Sequence, residues 1–168
     1  MTAGIFNDNN CPTIGAAFKT HKFVTSKGSL TLQIWDTAGQ EQFSSLSPVY
    51  YRSASLAIIF FDLTSSESFN SIHNWIDEIN EKASPPIPYV LVGNKADLDN
   101  LRKVSFQDAT HKAERTNSLF YAETSAKTGE GVNELFLRIT EFLQNQKMPT
   151  PFERDQVSLI SFSTSSCC

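Results

Sequence analysis

The chain has 168 residues, 40% hydrophobic and 19% charged, which suits one soluble domain able to bury a core. Its net charge of −4 leaves no basic footprint for nucleic acid, no apolar run reaches membrane-spanning length, and the start lacks a signal-peptide layout. Three cysteines, Cys11 alone and Cys167 and Cys168 as a pair, make no disulfide framework and fit a reducing, cytosolic compartment.

In chain order, Phe18–Thr25 predicts a first strand, and Lys27-Gly28 turns it as a hairpin into Thr31-Leu32-Gln33-Ile34-Trp35, which alternates at period two. Leu56-Ala57-Ile58-Ile59-Phe60-Phe61 is continuously apolar, as a strand buried on both faces requires. Phe69, Ile72, Ile76 and Ile79 recur at helical spacing and predict one amphipathic helix. Tyr89–Gly93 is another strand, Ser105–Arg115 a weaker helix, and Leu119–Ala122 a short strand. Val132, Leu135, Phe136, Ile139 and Leu143 mark the last helix. Strands alternating with helices predict an α/β fold, a mostly parallel sheet covered on both faces, with ligands at the carboxyl ends of the strands. The sequence divides into a domain over 1–146 and, from Lys147, a Pro-, Ser- and Thr-containing tail over 147–168 expected to be flexible.

The chemistry-bearing motifs follow predicted strands. Asn94-Lys95-Ala96-Asp97 comes directly after the Tyr89 strand. A carboxylate at Asp97 can accept from both the ring N–H and the exocyclic amine of guanine, a donor pair that adenine lacks. Asn94 can brace neighbouring loops and Lys95 can lay its stem along the base. The bland reading is a polar turn. Glu123-Thr124-Ser125-Ala126-Lys127 follows the next strand, and its small residues let backbone N–H groups approach a base carbonyl; its bland reading is a helix cap. Trp35-Asp36-Thr37-Ala38-Gly39-Gln40-Glu41 ends the second strand. There Asp36 can hold a Mg²⁺ water, Gly39 can offer its N–H to a γ-phosphate, and Gln40 can orient an attacking water. Thr13, in Pro12-Thr13-Ile14-Gly15, supplies a hydroxyl in a loop able to cap the metal.

These motifs, TIGAAF, WDTAGQE, YYRSA, NKAD and ETSAK in that order over Asn9 to about Phe142, make the chain resemble a Rab small GTPase. TIGAAF, NWIDEINEKAS and GNKADL resemble most the early-endosome branch. The resemblance implies a P-loop NTPase-like fold, GTP or GDP with Mg²⁺ as ligands, GTP hydrolysis supported by Gln40, and γ-phosphate sensing by Thr13 and Gly39. Asn94, Lys95, Asp97, Ser125, Ala126 and Lys127 would surround the base, and Phe23, Trp35 and Tyr50 would form an aromatic effector face. Cys167-Cys168 resembles a double geranylgeranylation signal. Implied partners are effectors, exchange and activating proteins, an escort or GDI-type chaperone, and the cytoplasmic face of early-endosomal membranes, with a cytosolic pool. Two lipid chains anchor stably where one binds marginally, and this tail adds no polybasic stretch.

One part of the pattern is missing. The family begins with a strand, a GxxxxGK[ST] loop and a helix, and that loop cradles the phosphates and supplies a Lys and a Ser/Thr. Glycines stand at 4, 15, 28, 39, 93, 129 and 131, and none has another five positions later. The first strand, the P-loop and most of the first helix are therefore absent from this sequence, as after an N-terminal truncation. In the family the absent strand is central, between those matching Thr31–Trp35 and Leu56–Asp62. Its loss predicts two exposed apolar edges and a poorly soluble or molten chain. A smaller departure is Gln42, where the family usually carries Arg or Lys. Three readings follow: a Rab GTPase whose sequence continues upstream, a nucleotide-free interaction protein that keeps the effector face and anchor, or a fragment without function. Loss of several charge-assisted hydrogen bonds at roughly 1.5–3 kcal/mol each weakens triphosphate binding by orders of magnitude.

Overall fold

The computed structural model describes residues 16–37, 54–146 and 156–163. Thr13, Gly39, Gln40, Gln42, Tyr50, Cys11, Cys167 and Cys168 lie outside these residues.

Strand β1 (Ala16–Thr25) turns at Lys27-Gly28 into β2 (Gly28–Thr37), paired antiparallel with Phe23 opposite Leu30. Gly28 has φ +115°, a conformation that side-chain-bearing residues rarely adopt. The Thr25 hydroxyl donates to Gln144 Oε1 at 2.6 Å, tying the hairpin turn to the last helix. β3 (Ala54–Asp62) leads into a short helix α1 (Ser66–Asn70), capped by Ser65 Oγ accepting from Ser68 N–H at 3.2 Å. The helix predicted through Phe69 and Ile79 is broken at Ser71, and α2 (Ile72–Lys82) buries Ile72, Ile76 and Ile79. β4 (Tyr89–Asn94) is buried on both faces up to Gly93. After a 3-10 segment, Ala96–Leu101, comes α3 (Phe106–Arg115), capped by Ser105 Oγ accepting from Asp108 N–H at 3.0 Å. Strand β5 is only Tyr121–Glu123, shifted from the expected Leu119–Ala122, and α4 (Val132–Asn145) buries the predicted Leu135, Phe136, Ile139 and Leu143.

The largest departure from expectation is β6 (Gln156–Ser163). Those tail residues are a strand, whereas their sequence predicts flexibility throughout 147–168. The sheet order is β1-β2-β6-β3-β4-β5, with β6 parallel to both neighbours. Leu159 pairs with Ile34 on one side and Leu56 on the other. The two inner edges expected to be exposed are thus closed by the chain's own C-terminal segment, because an apolar strand edge with unpaired N–H and C=O groups gains hydrogen bonds and burial together by accepting a strand. β6 also joins both cores. Val157 and Leu159 pack with Phe23, Leu32, Ile58 and Leu135 on the α4 face, and Ile160 and Phe162 pack with Ile59, Leu91 and Ile76 on the α2–α3 face. Trp75 stacks on Phe162 with centroids 4.9 Å apart. Among the described residues no helix is long and apolar enough to cross a membrane.

Candidate functional site

The carboxyl ends of β3, β4 and β5 lie side by side: Asp62 pairs with Asn94, and Gly93 with Glu123. Two loops therefore leave the sheet at one corner, one through Asn94-Lys95-Ala96-Asp97 and the other through Thr124-Ser125-Ala126. They are stitched together. Ala96 N–H donates to Thr124 O at 3.0 Å, Ala126 N–H donates to Asn94 Oδ1 at 3.1 Å, and the Ser125 hydroxyl donates to Asp97 Oδ1 at 2.5 Å. Ser125 is fully buried and Thr124 nearly so, while Ala126 and Lys127 are exposed. An ionised carboxylate has about four lone-pair directions. One hydrogen bond from Ser125 thus fixes Asp97 in orientation and leaves it acceptor capacity toward a ligand.

Lys95 occupies the left-handed region with φ 68°, sparsely populated for a residue with a side chain. Its ammonium meets Asp62 Oδ2 at 2.8 Å, and Asp62 Oδ1 accepts from the Thr64 N–H at 2.8 Å and hydroxyl at 2.7 Å. Burial pushes the Asp62 carboxyl up, but the hydrogen bonds from Lys95 and Thr64 outweigh it and hold the group below its ordinary value. The aliphatic stem of Lys95 is thereby held at the strand ends beside the loop pair.

A second tie runs behind the loops. Arg102 grips Glu123 with both ends of its guanidinium, Nη1 to Oε1 at 2.9 Å and Nη2 to Oε2 at 2.8 Å, and Nε reaches Asp99 Oδ1 at 2.9 Å. The Tyr121 hydroxyl donates to Glu123 Oε1 at 2.7 Å. Burial, then Glu123 as acceptor, raises the Tyr121 phenol well above its usual range. Arg102 follows the first loop and Glu123 opens the second, so the bidentate pair locks their separation.

Gly131 sits at φ +69° before α4, and a Cβ there would lie 2.2 Å from the Glu123 carbonyl oxygen. Gly131→Ala is expected to destabilise the fold by roughly 2–4 kcal/mol, combining overpacking with left-handed strain. Chemical denaturation measures it, and a midpoint unchanged from wild type would contradict the packing described.

The predicted residues divide three ways. Asn94, Lys95, Asp97, Ser125 and Ala126 converge, and Lys127 follows on the exposed end of the loop. Asp36 ends β2 on the far side of β6, where the Ser161 hydroxyl approaches its Oδ1 at 3.4 Å. Among the described residues no group of three or more His, Cys, Asp or Glu converges as a metal site. The aromatic face needs one correction: Phe23 is 5% exposed and stacks on Phe136, so its side chain belongs to the core. Phe18, 46% exposed, instead packs against half-buried Trp35 with centroids 4.6 Å apart. Sequence reasoning missed Asp62, Tyr121, Arg102 and Gly131. Asp62 carries a signal, a carboxylate closing an apolar strand, but Arg102 carries none, because its partner is 21 residues away.

A family model described as the Ras family matches residues 1–145. With two loops of the expected order at the carboxyl edge of a mostly parallel sheet, the chain belongs to the Ras family of small GTPases.

Proposed function

We propose that the chain is a Rab-type member of that family serving vesicular, early-endosomal membrane traffic. It would recruit effectors through the surface of exposed Phe18 and half-buried Trp35 and hold to the cytoplasmic face of membranes through lipids on Cys167 and Cys168, with a cytosolic pool kept by an escort or GDI-type chaperone. The observation that carries the reading is the stitched corner of Asn94, Asp97, Ser125 and Ala126, ordered by protein contacts alone. A corner so ordered loses little entropy on accepting a flat base.

The family's ligands fit this chain unevenly. Guanine fits: Asp97 is oriented by Ser125, the exposed Ala126 belongs to a braced loop, and Lys95 is fixed by Asp62. The phosphates and Mg²⁺ do not fit the described residues. The sequence holds no GxxxxGK[ST], and the sheet position between β2 and β3 is taken by β6. The described residues therefore support no hydrolytic step. The described residues offer a base site without a grip on the triphosphate, which favours an interaction protein whose effector surface depends weakly on nucleotide.

Calorimetric titration of the full chain with guanosine, GDP and GTP in the presence of Mg²⁺ tests this. Guanosine and GTP are expected to bind within about tenfold of each other, a difference of about 1.4 kcal/mol or less. Asp97→Ala should abolish both, and adenosine should not bind. A preference for GTP of a thousandfold or more would sink the proposal and mark a phosphate cradle elsewhere in the chain.

A further inference from the structure

Arg102-Lys103-Val104-Ser105 joins the 3-10 segment Ala96–Leu101 to α3 and sets an arginine three places, and a lysine two places, before a serine. An arginine also stands three places before Ser55 and before Ser118. Of these three serines only Ser105 has the second cation, and only Ser105 is exposed. Protein kinases sort substrates by charge pattern, and an acidic substrate groove takes this order of two cations and a hydroxyl. The backbone is extended at Arg102, with φ −57° and ψ 130°, and at Ser105, with φ −71° and ψ 154°. The Ser105 hydroxyl accepts from Asp108 N–H at 3.0 Å and donates to Asp108 Oδ2 at 2.6 Å. Those bonds explain a serine before α3. They give no reason for the two cations that precede it.

Arg102 sets what a phosphate at Ser105 would do. Its Nη1 donates to the Val104 carbonyl oxygen at 3.3 Å as well as to Glu123. That carbonyl shares a peptide plane with the Ser105 Cα, so the guanidinium lies within roughly 6 Å of it. A phosphoserine carries about −1.5 to −2 charge on three acceptor oxygens, against a single charge on Glu123. Repulsion from Asp108 turns the phosphate away from the helix and toward the cation.

We propose that Ser105 is a phosphoacceptor for a protein kinase selective for basic sequences, and that its phosphate draws Arg102 away from Glu123. The kinase supplies ATP: the bond from Ser105 Oγ to the γ-phosphorus forms as the bond to the bridging oxygen breaks, ADP leaves, and the hydroxyl proton goes to solvent. The tie between the loops after β4 and β5 then opens. Its effect on the base rests on the function proposed above, since a loosened corner holds guanine less well. Conversely, a filled corner keeps Arg102 on Glu123 and out of the kinase's groove.

The full chain, treated with the catalytic subunit of a cyclic-AMP-dependent protein kinase and Mg-ATP, should gain one phosphoryl group, placed at Ser105 by fragment mass spectrometry. Ser105→Asn keeps a capping side chain and should gain none. Lys103→Ala, at an exposed position, should react at least about fivefold more slowly while melting as wild type does. Glu123→Gln, which frees Arg102, should react faster. After exhaustive reaction, the phosphorus-31 resonance of wild type should titrate roughly one pH unit lower than that of Arg102→Ala. Guanosine affinity should fall at least about fivefold on phosphorylation. No transfer, or transfer undiminished in Ser105→Asn, would overturn the site. Equal phosphorus midpoints in wild type and Arg102→Ala would overturn the capture of Arg102, and guanosine bound equally by both forms would overturn the regulation. Guanosine bound by neither form would remove the base reading and leave the modification standing on the phosphorus titration.

Discussion

Removal of residues 156–168 is expected to abolish the cooperative melt of this chain. β6 is central, parallel to β2 on one side and β3 on the other, and it buries Val157, Leu159, Ile160 and Phe162 to 5% exposure or less. Burying such side chains contributes about 1.5–3 kcal/mol each, so the four together are worth roughly 6–12 kcal/mol. Domains of this kind have a net stability of about 5–15 kcal/mol. The strand's burial is therefore as large as everything left over from folding. Without it the β1–β2 hairpin and the β3-β4-β5 half also lose the ladder that joins them. Point substitutions grade the effect. Ile160→Ala should lose about 2–5 kcal/mol, and Leu159→Pro, which removes a ladder hydrogen bond in a central strand, should leave no folded population. Differential scanning calorimetry and hydrogen exchange read both. A sharp transition at unchanged temperature in the shortened chain would show that β6 does not complete the sheet.

Arg102→Ala should lower stability by roughly 1.5–3 kcal/mol, because it leaves Glu123 half-buried without its charged partner. The side chains are 23% and 20% exposed, which keeps the pair below the worth of a fully buried one. Arg102→Lys should recover only part of the loss, since an ammonium cannot match both carboxylate oxygens in a fixed fork. The pH dependence has a definite sign. Burial raises the Glu123 carboxyl, yet the hydrogen bonds from Arg102 and Tyr121 prevail and hold it below its ordinary value of 4.5. A depressed folded pKa contributes stability that is fully present above the unfolded value and is lost as pH falls through the folded one. Asp62 is held below 3.8 on the same balance, with Lys95 and Thr64 as its donors. Unfolding free energy should thus be flat near neutrality and fall below about pH 4.5, and Arg102→Ala should flatten the part of that fall due to Glu123. An acid limb identical in wild type and variant would refute the network. The same variant loosens the two loops, so the guanosine affinity proposed above should fall with it.

Much of the fold was legible in the residues. The apolar run Leu56–Phe61, the period of Val132 to Leu143 and the hairpin at Lys27-Gly28 specify their elements locally, because one buried face or two writes a short-range pattern. The convergence of Asn94, Asp97, Ser125 and Ala126 was equally legible, since each follows a strand whose end fixes its place. The tie between Arg102 and Glu123 was not, because nothing local distinguishes it from a solvated charge. Phe23 was misplaced for a related reason: on β1 either face carries aromatics, and only the packing of Phe136 from α4 decides which one is core.

The sequence by itself determined the family, the strand and helix pattern, the two polar loops that follow β4 and β5, and the absence of a GxxxxGK[ST] loop from these 168 residues. Only the tertiary structure decided what fills the centre of the sheet. Val157, Leu159, Ile160 and Phe162 are interrupted by serines and read as an irregular tail, yet they are the two-faced pattern of a central strand. Such a pattern acquires meaning only where two apolar edges flank a vacant position, because pairing with both β2 and β3 satisfies the backbone and buries both faces at once.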